Sequence, residues 1–396
     1  MRKTIEAMEL RGVSFVNGNF ENCSIIIEDG EIKRVERNTK DRNVRGLILP
    51  AGIDTHVHFR DPGYTKKEDF FTGSVAAAFG GVSCVCDMPN TIPRVKNATA
   101  LEEKREVART KSIVDFSIYA QAGVGCDKNL GVRAYKLYTY EDEPTEARGI
   151  NKLVSFHCEN KELFDKDFET PGDLSEHARY RNEASEAEAV REVNRIDVKR
   201  HFAHMSSLDA LRTANGTKEV TPHHLLLDYN RFDKKDARLK VNPPIRNNGA
   251  ELLDAFNRGA FDTLASDHAP HTLDEKETFE DAPSGMPGVE TMYPVMLSLA
   301  KRGIVDLRIL VRALCERPAE LFGLRKGRIR EGYDADLVLV DMDDERKIAE
   351  EELHSRCGWS AFGGFDAIFP YALYIRGIQV TEDKELLVQR GFGTEK

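Results

Sequence analysis

The chain has 396 residues, 40% hydrophobic and 8% aromatic, so it can bury a substantial core and is neither wholly disordered nor one small domain. Asp and Glu number 67 against 57 Lys and Arg, and the net charge of -10 argues against nucleic acid or an anionic membrane as a partner held by bulk charge. Charged residues at 31% fit a heat-adapted source. Met1-Arg2-Lys3 is basic, but Thr4-Ile5-Glu6 follows where a secretion signal needs an apolar run. The longest apolar stretches are strand-sized, so the reading is a cytoplasmic protein without a membrane span. Seven cysteines with no CxxC pair read as reduced thiols. Cys84 and Cys86 share one face of an apolar strand and read as packing rather than as a metal site.

The amino-terminal elements are short strands broken by turns. Val13-Ser14-Phe15-Val16 runs into Asn17-Gly18, a strong hairpin signal, and Asp29-Gly30 separates two more strands at 24–28 and 31–35. The carboxyl-terminal part has the same character, with strands expected at 335–341, 371–375, 378–380 and 386–390. The termini are therefore expected to fold together, residues 1–48 and 325–396 forming a small β-sandwich around a body of residues 49–324. In that body, apolar strand-like runs at 47–58, 82–88, 113–119, 134–138, 153–157, 200–204, 218–227 and 261–268 alternate with helix-like stretches at 99–110, 182–195, 291–301 and 306–315. Eight buried strands alternating with helices point to an α/β fold, a (β/α)8 TIM-type barrel. An open doubly wound sheet is the rival, but it favours a Gly-rich loop after the first strand, where Asp54-Thr55-His56-Val57-His58 stands instead.

Polar residues cluster at the ends of these runs. His56 and His58 end the first, Lys136 lies on the fourth, His157 ends the fifth, His204 the sixth and Asp267 the eighth. In a barrel those ends share one rim, where catalytic groups collect. Alternation along a strand aims His56, His58 and Arg60 the same way. Standing alone, an HxH pair is more often two polar strand-end residues than a metal site. The second imidazole pair, His157 and His204, raises the joint reading as a divalent transition-metal centre. His201 starts its strand and is expected deeper than His204. Burial near cations depresses the pKa of an amine, so Lys136 can be neutral and take up CO2 as a carbamate that bridges two ions. The alternative is an ordinary lysine paired with an acid. Asp267 can ligate one metal and exchange a proton with a bridging hydroxide. Arg60 can grip a carboxylate through two parallel hydrogen bonds, or pair with Asp61 as a strut. His223 and His224 are read as mid-strand residues with supporting or core roles.

The string Asp54-Thr55-His56-Val57-His58-Phe59-Arg60-Asp61-Pro62-Gly63 resembles the signature of the dihydroorotases in the amidohydrolase superfamily. Asp87-Met88-Pro89-Asn90-Thr91, Thr221-Pro222-His223-His224, Asn242-Pro243-Pro244-Ile245-Arg246, Ser266-Asp267-His268-Ala269-Pro270-His271 and Gly285-Met286-Pro287-Gly288-Val289-Glu290-Thr291 also resemble that family. So does the tail from Gly327 to Leu337. The resemblance implies two zinc ions per subunit: His56, His58 and Asp267 on one, His157 and His204 on the other, and carbamylated Lys136 bridging them. It implies Arg60, Asn90 and His271 around a substrate carboxylate, with His58 at the same site, and Asn242 and the backbone at Pro287 and Gly288 around the ring. One branch of the family bridges with an aspartate; this chain carries the lysine-type string.

The activity so implied is the reversible closure of N-carbamoyl-L-aspartate to L-dihydroorotate in pyrimidine biosynthesis, with Asp267 as general acid and base. Two other readings compete. A hydantoinase, dihydropyrimidinase or allantoinase would share the metal ligands but leave Arg60 without a carboxylate. A non-catalytic scaffold relative would lack ligands, and none of the six is missing. The expected partners are the small-molecule substrate and, as an assembly, a homo-oligomer or another enzyme of the pathway. The acidic loop 139–149 matches no motif, and its part as a lid stays open.

Overall fold

The computed structural model describes residues 7–396; the amino-terminal reading of residues 1–6 lies outside that range. Eight parallel strands form the body: Gly52–Val57, Val82–Asp87, Asp115–Ile118 continued by Ala120–Gln121, Ala134–Tyr138, Leu153–His157, Lys199–Phe202, Thr217–Val220 and Thr263–Leu264. Each pairs in parallel with the next. Just past the eighth strand, His268 bridges back to Val57 of the first, with the His58 amide donating to the His268 carbonyl at 2.7 Å. The sheet thus closes into a (β/α)8 barrel. Every residue of the first, second, fourth and fifth strands is buried, as expected for strands covered on both faces.

Side-chain caps start the surrounding helices. Asp69 opens Phe70–Phe79 with a capping box that includes Thr72, Asn97 caps Ala98–Lys111, and Asn182 caps Glu183–Asn194. Among the described residues, no helix is long and apolar enough to cross a membrane.

Both ends of the chain meet in one eight-stranded sheet. Its order is Glu385–Leu386, Ile378–Glu382, Ala372–Ile375, Leu337–Val340, Leu47–Pro50, Met8–Val16, Asn19–Glu28, Glu31–Arg37. The two expected hairpins are present. Asn17 and Gly18 (φ 49° and 79°) and Asp29 and Gly30 (51° and 83°) occupy left-handed backbone at both central turn positions, the geometry that matches strand twist. Period-two alternation gives the sheet two different faces. Ile48, Leu337 and Leu339 join a cluster internal to the terminal sheet, whereas Leu49, Val338 and Val340 join the barrel core. The expected sandwich is thus built from one hydrogen-bonded sheet that encloses its own apolar cluster on the face away from the barrel.

Three expected elements differ. The run 47–58 is two strands in two sheets, divided at Ala51, because its first half pairs with Met8–Val16 and Leu337–Val340. The run 218–227 ends as a strand at Val220; Thr221 then caps a short helix, Pro222–Leu226, with the proline in its first turn. The last strand spans only Glu385–Leu386.

A buried ion cluster locks the barrel to the terminal sheet. The Lys326 side chain, 1% exposed, contacts Asp115 of the third barrel strand at 2.8 Å, Asp334 at 3.3 Å, and Asp336. Arg376 and Lys396 also reach Asp115. Burial alone would raise the Asp115 pKa, but Lys326, Arg376 and Lys396 hold it well below the usual carboxylate range. A depressed folded pKa stabilises fully above the unfolded value of about 3.9 and is lost as pH falls through the folded one. Lys326→Met strands buried carboxylates and is expected to cost about 3–5 kcal/mol, read as a fall in Tm at neutral pH. The loss of Tm between about pH 7 and pH 3 should be smaller in this variant than in the parent; equal acid sensitivity would remove Lys326 as the cause.

Candidate metal centre at the carboxyl rim of the barrel

Six side chains singled out in the sequence come from five different strands or the residues just after them. His56 lies within the first strand and His58 just beyond it, Lys136 within the fourth, and His157 at the end of the fifth. His204 follows the sixth strand and Asp267 the eighth. His56 Nε2 and His58 Nε2 stand 3.3 and 3.1 Å from Asp267 Oδ1. The His56 and His204 rings are 5.1 Å apart, and those of His204 and His157 4.5 Å. His56, His204 and Asp267 each offer a ligand atom within 4.8 Å of the others.

Backbone geometry past the strand ends does part of the aiming. Arg60, His204 and Asp267 all take left-handed backbone, with φ of 63°, 33° and 46°. For residues with a side chain that conformation costs about 1–3 kcal/mol and persists only where the surroundings impose it. Arg60 therefore owes its direction to this turn rather than to alternation along the first strand, which ends at Val57.

The donor chemistry suits a divalent cation. Burial pulls the His58 pKa down to about 4, and lowers those of His157 and His204. Their ring lone pairs are therefore available near neutral pH. Burial would raise the Asp267 pKa, but the adjoining His56, His58 and His223 rings keep it below the usual carboxylate range, so Asp267 is anionic. Lys136 is fully buried, and its Nζ has no hydrogen-bond partner. Burial brings its pKa to about 8, against the opposing pull of Glu219 and Asp267. An unpartnered buried ammonium is costly, and an amine converted to an anion that binds cations removes that cost. The residues present fit a metal centre.

Supporting carboxylates went unread in the sequence. Glu219, on the seventh strand, accepts from His56 Nδ1 at 2.7 Å, His201 Nε2 at 3.2 Å, Thr55 Oγ1 at 2.9 Å and the His204 amide at 3.1 Å. It fixes the His56 tautomer so that Nε2 faces Asp267. The available signal was its alternation with Thr217, whose hydroxyl also meets His201 on the inner face. Glu159 does the same for His157, accepting from Nε2 at 2.6 Å while Arg181 donates to both of its oxygens at 2.5–3.1 Å. His157 thereby keeps Nδ1 for the centre. His201 is buried one layer below, as expected.

The expected substrate residues fall into two groups. Asn90 Oδ1 meets His58 Nδ1 at 2.7 Å, and Arg60 Nη2 meets His271 Nε2 at 3.1 Å, so these four sit together beside Asp267. Asn242 instead contacts His177 Nε2 at 3.0 Å, and the Gly288 amide donates to His268 Nδ1 at 3.1 Å. Pro287 lines a small cavity with His268 and Trp359. His223 and His224 are helical rather than mid-strand, because Thr221 and Pro222 end the strand before them. His224 is held at both nitrogens, by Thr221 Oγ1 and the Pro243 carbonyl. His223 is buried, and its Nε2 lacks a partner. Tyr140, from the acidic loop, packs edge-on against His157 at 4.9 Å.

A closed parallel barrel whose carboxyl rim gathers neutral imidazoles, an ionised aspartate and a buried lysine defines a metal-dependent hydrolase. The amidohydrolase family model matches residues 47–357, and the chain belongs to that family. Among its relatives, the dihydroorotase of Thermoplasma volcanium is 39% identical over 394 residues, spanning 94% of each chain. That of Methanosarcina mazei is 35% identical over 432 residues, covering 96% of this chain and 95% of the relative. Among solved structures, the L-hydantoinase (dihydropyrimidinase) from Arthrobacter aurescens superposes with a TM-score of 0.88 at 25% identity over 97% of both chains. The dihydropyrimidinase from Brevibacillus agri gives 0.87 at 24% identity over 98% of both, a likeness of fold.

Glu219→Gln removes the charge that orients His56 while keeping its size. It should weaken metal affinity about 10- to 100-fold, measured by chelator competition on folded protein. Unaltered affinity would take Glu219 out of this role.

Proposed function

We propose that the chain is a dihydroorotase, interconverting N-carbamoyl-L-aspartate and L-dihydroorotate. The observation that carries this reading is Arg60 beside His271 and close to Asp267: a cationic seat at the edge of a hydrolytic centre calls for a carboxylate on the substrate ring. The relatives that cover nearly the whole chain bear the same name. We further read residues 49–324 as the catalytic body and residues 1–48 and 325–396 as the two parts of its supporting domain.

His56, His58 and Asp267 would hold one zinc ion, His157 and His204 a second, and a carbamate on Lys136 would join them. When bound, the ions supply a water-derived nucleophile at neutral pH and polarise the ring carbonyl. Asp267 lies within reach of both His56 and His58, and its part is to take the proton of the attacking water. It then hands that proton to the ring nitrogen as the carbon–nitrogen bond opens; closure runs the same transfers backwards. Arg60, Asn90 and His271 fix the carboxylate, so the ring presents one carbonyl to the centre. Glu219 and Glu159 keep the imidazoles in the tautomers this needs.

The structural likeness to hydantoinases favours one second reading, hydrolysis of a cyclic amide without a carboxylate. Assaying purified protein on dihydroorotate and hydantoin side by side separates the two. Dihydroorotate is expected to be the better substrate, with Arg60→Ala raising its KM; preference for hydantoin would overturn the assignment. For the chemistry, Asp267→Asn should lower kcat by about 10²- to 10⁴-fold. Lys136→Arg, which cannot carry the carbamate, should bind fewer zinc ions per chain by elemental analysis. Normal turnover in the first variant, or full zinc in the second, would contradict the respective role.

A further inference from the structure

Lys67 is absent from every role assigned above, yet its ammonium sits behind the carboxylate seat, against the His271 ring. Lys67 Nζ lies 3.0 Å from His271 Nδ1 and 2.6 Å from Glu275 Oε1. On the other edge of the same ring, His271 Nε2 lies 3.1 Å from Arg60 Nη2. Lys67 is mostly buried, with its side chain 20% exposed, and His271 is buried. The ring is held from the backbone side as well, since Trp359 Nε1 donates to the His271 carbonyl at 2.7 Å.

A hydrogen-bond conflict follows. Ammonium and guanidinium groups are donors only, and a neutral imidazole has one N–H and one lone pair. Two cationic donors on opposite ring nitrogens therefore cannot both be accepted. A protonated ring would satisfy neither, and burial, with Arg60 and Lys67 alongside, keeps His271 neutral. Arg60 has a hold elsewhere, its Nε donating to the Pro270 carbonyl at 3.3 Å, and its remaining donors are free to turn to a ligand. Lys67 is clamped by Glu275, whose own position is fixed by the Thr272 amide at 3.0 Å. Glu275 Oε2 is 3.6 Å from His271 Nδ1, too far to accept a hydrogen bond from it.

We infer that Lys67 is a positioning residue that takes the Nδ1 lone pair of His271 and so fixes the ring as its Nε2–H tautomer, making His271 and Arg60 a two-donor seat for a carboxylate oxygen. In the free protein the Nε2–H and the Arg60 N–H face each other, with the Ser284 backbone carbonyl alongside the ring. A carboxylate oxygen placed there accepts from both and removes the conflict, whereas a carboxamide group would present an N–H donor of its own as well as its oxygen. Lys67 thereby sets selectivity for an anionic substituent without touching it. The inference rests on the dihydroorotase reading for the identity of that substituent, not for the tautomer itself.

The test has two independent arms. Nitrogen NMR of histidine-labelled, metal-loaded protein reads the His271 tautomer, assigned by comparison with His271→Asn. The expected result is Nε2–H in the parent, loss of that single tautomer in Lys67→Met, and its return in Lys67→Gln, whose amide can still donate to Nδ1. An Nδ1–H ring in the parent overturns the inference. In the kinetic arm, Lys67→Met should raise KM for dihydroorotate about tenfold or more, the loss of one charge-assisted contact, with a smaller effect on kcat and substantial recovery in Lys67→Gln. An unchanged KM, or equal loss in both variants, also overturns it. If the parent does not turn over dihydroorotate at all, the functional reading fails, while the tautomer arm still decides the part played by Lys67.

Discussion

A lysine amine without a hydrogen-bond partner at the centre of a closed barrel is the constraint around which this molecule is arranged. Lys136 sits on a strand buried on both faces, where water cannot solvate its charge. Burial brings its pKa down to about 8, so a minor but reactive fraction of the amine is neutral near physiological pH. The same dry environment keeps the surrounding imidazoles uncharged and makes every carboxylate there matter. Such a set is mutually consistent when cations complete it, which ties the electrostatics of the rim to the metal dependence of the family.

Closing the sheet brings these groups together. His58 donates its amide across the seam to His268, the residue after Asp267, so the backbone contact that shuts the barrel also sets the spacing of two candidate ligands. Asp54 reinforces it from below by accepting from the amides of both His56 and Ser266 at 3.1 Å. The L-hydantoinase structure shares the fold that frames this centre, and on the reading proposed above the choice of substrate is made one layer outward, where Arg60 and His271 meet and Lys67 backs the His271 ring.

Much of this could be read from residues because strand alternation and strand ends carry strong signals. His56, His58, Lys136, His157, His204 and Asp267 occupy one rim once the strands are placed, and the Asn17-Gly18 and Asp29-Gly30 turns are where their chemistry demands. Other features fail for physical reasons. The apolar residues Leu225 and Leu226 mimic a strand, while Thr221-Pro222, a cap followed by a first-turn proline, starts a helix. The helix Phe70–Phe79 is apolar nearly all round, so it lacks the periodicity that would betray it, and its Asp69 capping box is the surviving clue. Arg60 points into the site through a left-handed turn that no periodicity encodes. Glu219 and Glu159 look like surface acids until the strand that carries the first, and the segment past His157 that carries the second, are known to be buried.

The terminal sheet joins strands that are far apart in the order of synthesis. Leu47–Pro50 lies between Met8–Val16 and Leu337–Val340, and the last residues reach back to the third barrel strand, where the Phe116 amide donates to the Thr394 carbonyl. On a ribosome the first three strands and the edge of the fourth emerge nearly three hundred residues before the strand that covers them. That edge is open to pairing with a neighbouring nascent chain throughout translation of the barrel. The seam formed by Leu47–Pro50 and Leu337–Val340 thus stays open until the barrel has been made, and it is a place where chaperone protection has value.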